Sequence, residues 1–216
     1  MSHPLTQENK RSRAQLLSVC IFCGARAGHD PRWIAEAAKM AQIVTRQGVK
    51  LIYGGGHTGL MGVIADSALA AGGLVVGVIP ASLQEQEMAH QGLSELFVVG
   101  TMHERKALMA QLSSAFIALP GGFGTLDEFF EILTWRQLGI HSKPIALLNS
   151  NGYFDSLLNF CERAVVDGFI SKSDFDGVII ESDPDRLWER VINEAGAREV
   201  TASGSIEIAK RESSNE

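Results

Sequence analysis

The amino-acid sequence predicts an α/β protein with a doubly wound, mostly parallel sheet flanked by helices. Three observations carry that prediction. Short apolar runs of strand length alternate with helical patterns, the signature of consecutive βαβ units. Apolar residues make up 45% of the 216-residue chain, enough to cover both faces of a buried sheet. Glycine-rich stretches follow several apolar runs, at Gly24, at 54–59 and at 120–125, where such sheets meet their ligands.

Each element has its own local reason. Residues 17–23 form the first apolar run. Asp30 then precedes Pro31, a capping residue followed by a first-turn proline, and Trp33, Ala37, Met40, Ala41 and Val44 recur at helical spacing until Gly48. Val49 to Tyr53 reads as a strand and Leu60 to about Ala71 as a helix of small residues. Leu74 to Ile79 is the next strand, and the polar residues 81–95 read as a loop over the sheet edge. After the short strand Leu96 to Val99, Thr101-Met102-His103-Glu104 has the form of a capping box. A strand at 115–119 leads into Pro120-Gly121-Gly122-Phe123-Gly124-Thr125 and a helix to about Leu138. Strands at Ile145–Leu148 and Val178–Ile180, with helices from Phe154 and from Pro184, complete the pattern. No linker or internal repeat interrupts it, so residues 15–196 are expected to form one Rossmann-like domain. Residues 1–14 are expected to be a flexible segment and 197–216 a disordered polar tail.

Composition narrows the function classes. A formal net charge of −6 argues against non-specific nucleic-acid or anionic-membrane partners. No apolar run approaches the roughly 20 residues of a membrane span, and the polar start is not a signal peptide, so a cytoplasmic protein is expected. Cys20 and Cys23 match C-x-x-C, yet they lie on a strand, where residues three apart face opposite sides. With Cys161 they read as buried thiols, and no metal site is expected.

Two glycine motifs and one basic pair carry the chemistry. Gly54-x-Gly56-x-x-Gly59 fits the dinucleotide fingerprint, but the next strand ends Ile79-Pro80-Ala81-Ser82 without the acidic residue that holds a ribose. That argues against nicotinamide or flavin, while four glycines at Gly54, Gly55, Gly56 and Gly59 still suggest close backbone approach to a ligand. The stretch 120–128 places glycines at a helix start, a seat for phosphate, with the carboxylate of Glu128 close behind. Thr125-Leu126-Asp127-Glu128 is also a possible capping box, and chemistry alone leaves both readings of Glu128 open. Arg105 and Lys106 open a helix where cations are disfavoured by the dipole. A solvated surface pair and a ligand site both account for them. Neighbouring helical residues point about 100° apart, so the two cannot meet one ligand atom.

Taken together, Met102-His103-Glu104-Arg105-Lys106, Pro120-Gly121-Gly122-Phe123-Gly124-Thr125-Leu126-Asp127-Glu128 and Thr134-Trp135-Arg136-Gln137-Leu138-Gly139-Ile140-His141 resemble the LONELY GUY family of cytokinin riboside 5′-monophosphate phosphoribohydrolases, often mislabelled lysine decarboxylases. The likeness runs from Phe22-Cys23-Gly24 to about Phe169-Ile170. It implies hydrolysis of the N-glycosidic bond of adenine-type nucleoside 5′-monophosphates, N6-substituted or AMP, without a cofactor, by a homodimer. It implies Arg105 and Glu128 as the catalytic pair. Substrate contacts would fall on Glu87, Lys106, Gly122, Phe123, Gly124, Thr125, Leu126, Asp127 and Thr134, with Gly54, Gly55 and Gly56 beside them. The chain departs from the family at Ala25-Arg26, where serines are common, and Arg26 is a candidate replacement for their contact with phosphate.

Two other functions compete. A non-catalytic nucleotide or molybdenum-cofactor carrier would use the same loops, but the presence of both Arg105 and Glu128 favours the enzyme. A lysine decarboxylase would need a pyridoxal-phosphate lysine and a much longer chain; Lys106, beside Arg105, has no acidic partner motif for the pyridinium.

Overall fold

The computed structural model describes residues 18–197. The terminal segments expected to be flexible therefore lie outside the described residues, except Ala197, which is helical. The chain runs β1 (Ser18–Phe22), α1 (Arg32–Arg46), β2 (Lys50–Tyr53), α2 (Gly59–Ala70), β3 (Val75–Pro80), β4 (Glu95–Val99), α3 (Met102–Leu112) and β5 (Ala115–Ala118). It continues through α4 (Phe123–Gln137), β6 (Ile145–Leu148), α5 (Asp155–Val166), α6 (Lys172–Asp176) and β7 (Val178–Glu181) to α7 over residues 184–197.

Among the described residues, the seven strands pair in parallel in the order β4-β3-β2-β1-β5-β6-β7. The strand order reverses between β1 and β5, so a crevice opens beyond their carboxyl ends, where doubly wound sheets bind ligands. The period of two along each strand divides the core. Val19, Ile21 and Cys23 pack with Ala37 to Val44 of α1, Leu60 to Ala68 of α2 and Leu187 to Val191 of α7. Cys20 and Phe22 face the opposite layer, with Met109 of α3, Phe129 and Ile132 of α4, and Phe154. The C-x-x-C cysteines are thus free, buried and on opposite faces of the sheet.

Three local expectations are refined. At Thr101 the cap forms in part: its hydroxyl accepts from Glu104 N–H, while the Glu104 carboxylate reaches one residue past the cap and accepts from the Gly100 N–H. At Thr125 it does not, because α4 already begins at Phe123 behind Gly122, which places Thr125 and Glu128 inside the helix. Residues 81–95 are not a loose cover. A 3₁₀ turn at Ala81–Leu83 turns the chain back, and an antiparallel bridge joins Ala89 to Gly56. His57 N–H donates to the Glu87 and Met88 carbonyls, and His90 N–H to the Gly55 carbonyl, so this segment is sewn onto the first glycine loop.

Candidate active site

A cavity of about 580 Å³ lies at the β1/β5 switch point, a size that suits a small-molecule ligand. Its walls come from three stretches that follow strands: Cys23 to Gly28 after β1, Pro120 to Glu128 after β5, and the segment after β3 that brings Leu83 and Glu87. The β1 and β5 loops are joined by the Gly24 N–H donating to the Pro120 carbonyl at 3.1 Å. Gly121 allows this approach, since a methyl there would lie 2.8 Å from Gly24 N and would collide with the Thr125 hydroxyl.

The start of α4 forms the floor. Its first backbone bond runs from Leu126 N–H to the Gly122 carbonyl, leaving the N–H groups of Phe123, Gly124 and Thr125 without an intrahelical acceptor. No atom lies within 4 Å of where a methyl would project from Gly122 or Gly124, so both open onto free space. Tyr153 steadies this loop from outside the helix, donating its hydroxyl to the Gly121 carbonyl at 2.8 Å. It also packs edge-on against Trp33, and both rings line the cavity.

Arg105 enters from α3. Although it sits in a first turn, the residue is 4% exposed and its guanidinium reaches back to the sheet. Nε donates to the Val78 carbonyl at 3.1 Å, and Nη2 donates to the Gly54 carbonyl at 2.7 Å and to Glu87 Oε2 at 3.1 Å. Nη1 has only the weak acceptor Met102 Sδ at 3.8 Å. Gly54 makes room for this arrangement, because a methyl there would collide with Nη2.

Glu128 is half-buried on the cavity wall, and desolvation pushes its carboxyl up from 4.5 to about 7. The Arg105 guanidinium pulls the other way, while Glu87 and Asp127 add to the rise. A carboxyl that changes state near neutrality suits proton transfer or charge stabilisation. The Cys23 thiol, also in the lining, is pushed up by burial and then by Glu128, which keeps it protonated and unreactive.

Of the residues singled out in the sequence, Glu87, Arg105, Gly122, Phe123, Gly124, Thr125, Asp127 and Glu128 come together around the cavity. Arg26 joins them in the lining, and the others lie elsewhere in this chain. Lys106 bonds to Asp127 at 3.0 Å and pairs with Glu131 at 3.2 Å, outside the lining. Desolvation disfavours its charge, but the two carboxylates outweigh that and hold the ammonium above its ordinary range. A Schiff-base lysine needs the opposite shift. Leu126 packs into the core, and exposed Thr134 bonds to the Phe130 carbonyl of its own helix. Gly54, Gly55 and Gly56 stand behind Arg105, β3 and Glu87 rather than in the lining. Trp33, Tyr153, Leu83 and Met61 were not legible as site residues, because ordinary apolar patterning gives them no distinguishing signal.

Among the described residues, one cluster has metal-compatible spacing: His57, Asp66 and His90. Its hydrogen bonds give it another task. His90 Nδ1 accepts from the Gly92 N–H at 3.0 Å, so Nε2 carries the proton and donates to Asp66 at 2.9 Å, leaving no lone pair for an ion. His57 meets the other Asp66 oxygen at 3.1 Å, and the triad braces the segment that carries Glu87.

The fold and the site define an α/β protein of the doubly wound class with a combined anion and carboxylate cavity at its switch point. A family model described as "Possible lysine decarboxylase" matches residues 61–191. A cytokinin riboside 5′-monophosphate phosphoribohydrolase of Rhodococcoides fascians is 49% identical over 181 residues, 83% of this chain and 91% of its own length. One from Arabidopsis thaliana is 42% identical over 164 residues, 76% of this chain and 77% of its own. The chain belongs to this phosphoribohydrolase family, whose family model carries the lysine decarboxylase description. Among solved structures, the molybdenum cofactor binding protein from Rippkaea orientalis superposes with a TM-score of 0.63 at 23% identity, over 82% of this chain and 97% of that one. That likeness is one of fold.

Proposed function

We infer that this protein hydrolyses the N-glycosidic bond of adenine-type nucleoside 5′-monophosphates, N6-substituted or AMP, to free base and ribose 5-phosphate. The observation that carries the reading is that one cavity brings together the Glu128 carboxyl, which burial raises toward neutrality, the Arg105–Glu87 pair and the start of α4 with its unpaired first N–H groups. Membership in the phosphoribohydrolase family supports it. Phosphate at the Phe123, Gly124 and Thr125 N–H groups would anchor the sugar and orient C1′ toward Glu128. As the C1′–N bond breaks, its electrons leave with the base and positive charge develops on the ribose. Ionised Glu128 stabilises that charge and takes a proton from the water that adds to C1′, and that proton, passed on from Glu128, ends on the departing base. Arg105 Nη1 is the guanidinium donor left for the ligand. The remaining Arg105 bonds fix its position.

The test is base release from AMP and from N6-isopentenyladenosine monophosphate, followed by chromatography. Glu128→Gln is expected to abolish release while nucleotide binding persists, and retained turnover would overturn the assignment. We also propose a homodimer, for which the exposed apolar side chains Leu138, Ile140, Phe160, Val166 and Phe169 offer a surface. A cytoplasmic setting fits the three free cysteines. Among the described residues no helix is long and apolar enough to cross a membrane.

A further inference from the structure

The cavity has an electrostatic shortfall for a phosphate ester. Its lining carries two guanidinium groups, Arg26 and Arg105, against the carboxyl groups of Glu87, Asp127 and Glu128. The charge of Arg105 is already offset by Glu87, and its Nε and Nη2 are taken by Val78, Gly54 and Glu87, which leaves only Nη1, beside Met102 Sδ, for a ligand. Lys106 is held outside the lining by Asp127 and Glu131. A phosphate dianion entering here would meet three acids and the partial charge of one helix start, equivalent to roughly half an elementary charge. The binding site needs another cation.

Arg26 is placed to supply it. It is exposed in the β1–α1 loop and lines the cavity, and among the described residues no acceptor holds its side chain. The acid of that loop, Asp30, is taken by Arg32, whose Nε and Nη2 both donate to its Oδ2. The backbone below Arg26 is fixed against the phosphate loop. Gly24 donates to the Pro120 carbonyl and accepts from the Leu60 N–H at 3.0 Å, and a methyl on Gly24 would lie 2.7 Å from the Arg26 carbonyl and 3.4 Å from Gly121 Cα.

We propose that Arg26 is the counter-ion of the substrate's 5′-phosphate and makes the site select a nucleoside monophosphate over the bare nucleoside. The assignment rests on the hydrolase reading above for the identity of the ester. Arg26, without a side-chain partner, lines the same cavity as the first N–H groups of α4, which lack an intrahelical acceptor, and a phosphate held between them would take charge-assisted hydrogen bonds from both.

Calorimetry with ribose 5-phosphate and with ribose, on the full chain, tests binding without turnover, and KM for AMP tests it during turnover. Arg26→Ala is expected to weaken ribose 5-phosphate binding and raise KM by about tenfold or more, with kcat within about twofold. Ribose binding should not change, and the salt dependence of ribose 5-phosphate binding should flatten. Arg26→Lys should recover much of the loss, and the control Arg186→Ala, outside the cavity, should change neither quantity. Unchanged ribose 5-phosphate affinity in Arg26→Ala, or an equal loss for ribose, overturns the proposal. Base release by the wild type with unaltered Arg26→Ala affinity overturns this assignment alone. Arg26-dependent ribose 5-phosphate binding without any base release overturns the hydrolase reading alone.

Discussion

The loops at 54–59 and 120–125 are alike in composition and opposite in use. In the first, glycine removes bulk so that protein can meet protein. A side chain at Gly54 would strike Arg105, one at Gly56 would sit 3.0 Å from the Glu87 backbone, and one at Gly59 would collide with Ala25. In the second, Gly122 and Gly124 face nothing within 4 Å, and their backbone is presented to the cavity. One loop shapes the machinery and the other receives the ligand. Glycine therefore reports close approach in both places without saying what approaches.

Substitutions that add a single methyl should separate the two uses. The largest effect is expected from Gly54→Ala, which displaces the Arg105 guanidinium from Gly54 and Glu87. Breaking a buried pair of this kind costs about 3 kcal/mol or more, and base release should fall at least about a hundredfold. Chemical denaturation together with the release assay measures both. A stable, active Gly54→Ala protein would end the distinction.

Next comes Glu128→Gln, on the helix that follows the second loop. Base release should fall about 10²–10⁴-fold, and the rise of wild-type activity as pH passes through about 7 should disappear. Stability should move the other way. The folded carboxyl holds its proton more tightly than the unfolded chain between 4.5 and about 7. Its contribution is therefore full below that window and is lost as pH rises through about 7. At pH 8 the glutamine variant should be more stable by about 1–3 kcal/mol, and the difference should vanish in acid. Denaturation curves at several pH values give the sign.

Gly124→Ala sharpens the contrast. The position is helical, and the space before it is open, so alanine should raise stability by up to about 1 kcal/mol. The added methyl occupies ligand space and should cost about tenfold in base release. The smallest effect belongs to Thr134→Ala, which removes a bond within its own helix. Stability should change by less than about 0.5 kcal/mol, with base release by a single chain unaltered. A marked loss confined to the dimer would mean that a second copy brings Thr134 to a site.

Much of this was written locally. Strand and helix positions follow from apolar spacing, and the placement of Cys20 and Cys23 on opposite faces follows from the strand period. The short helix α6 carries too little periodicity to be read, and the segment 81–95 has none. That segment is organised by bonds from its own residues, His90 among them, to Gly55, His57 and Asp66, which lie outside it and are not legible from the segment alone. The boundary of α4 was ambiguous because Thr125 and Glu128 have the letters of a capping box. Gly122 ends the extended backbone three residues earlier, so the helix starts before the box can form.

By itself the sequence determined the alternating architecture, the two glycine loops, and the presence of Arg105 and Glu128 on motifs that flank an anion seat. These are properties of spacing and side-chain chemistry along a few consecutive residues. Only the tertiary structure decided that Arg105 turns inward while Lys106 is held by Asp127 and Glu131, and that Glu87 closes the site from a distant segment. It also decided that Arg26 reaches the cavity uncommitted. Those outcomes depend on which charges meet which partners once the sheet brings its strand ends together, and on how far burial alters each charge.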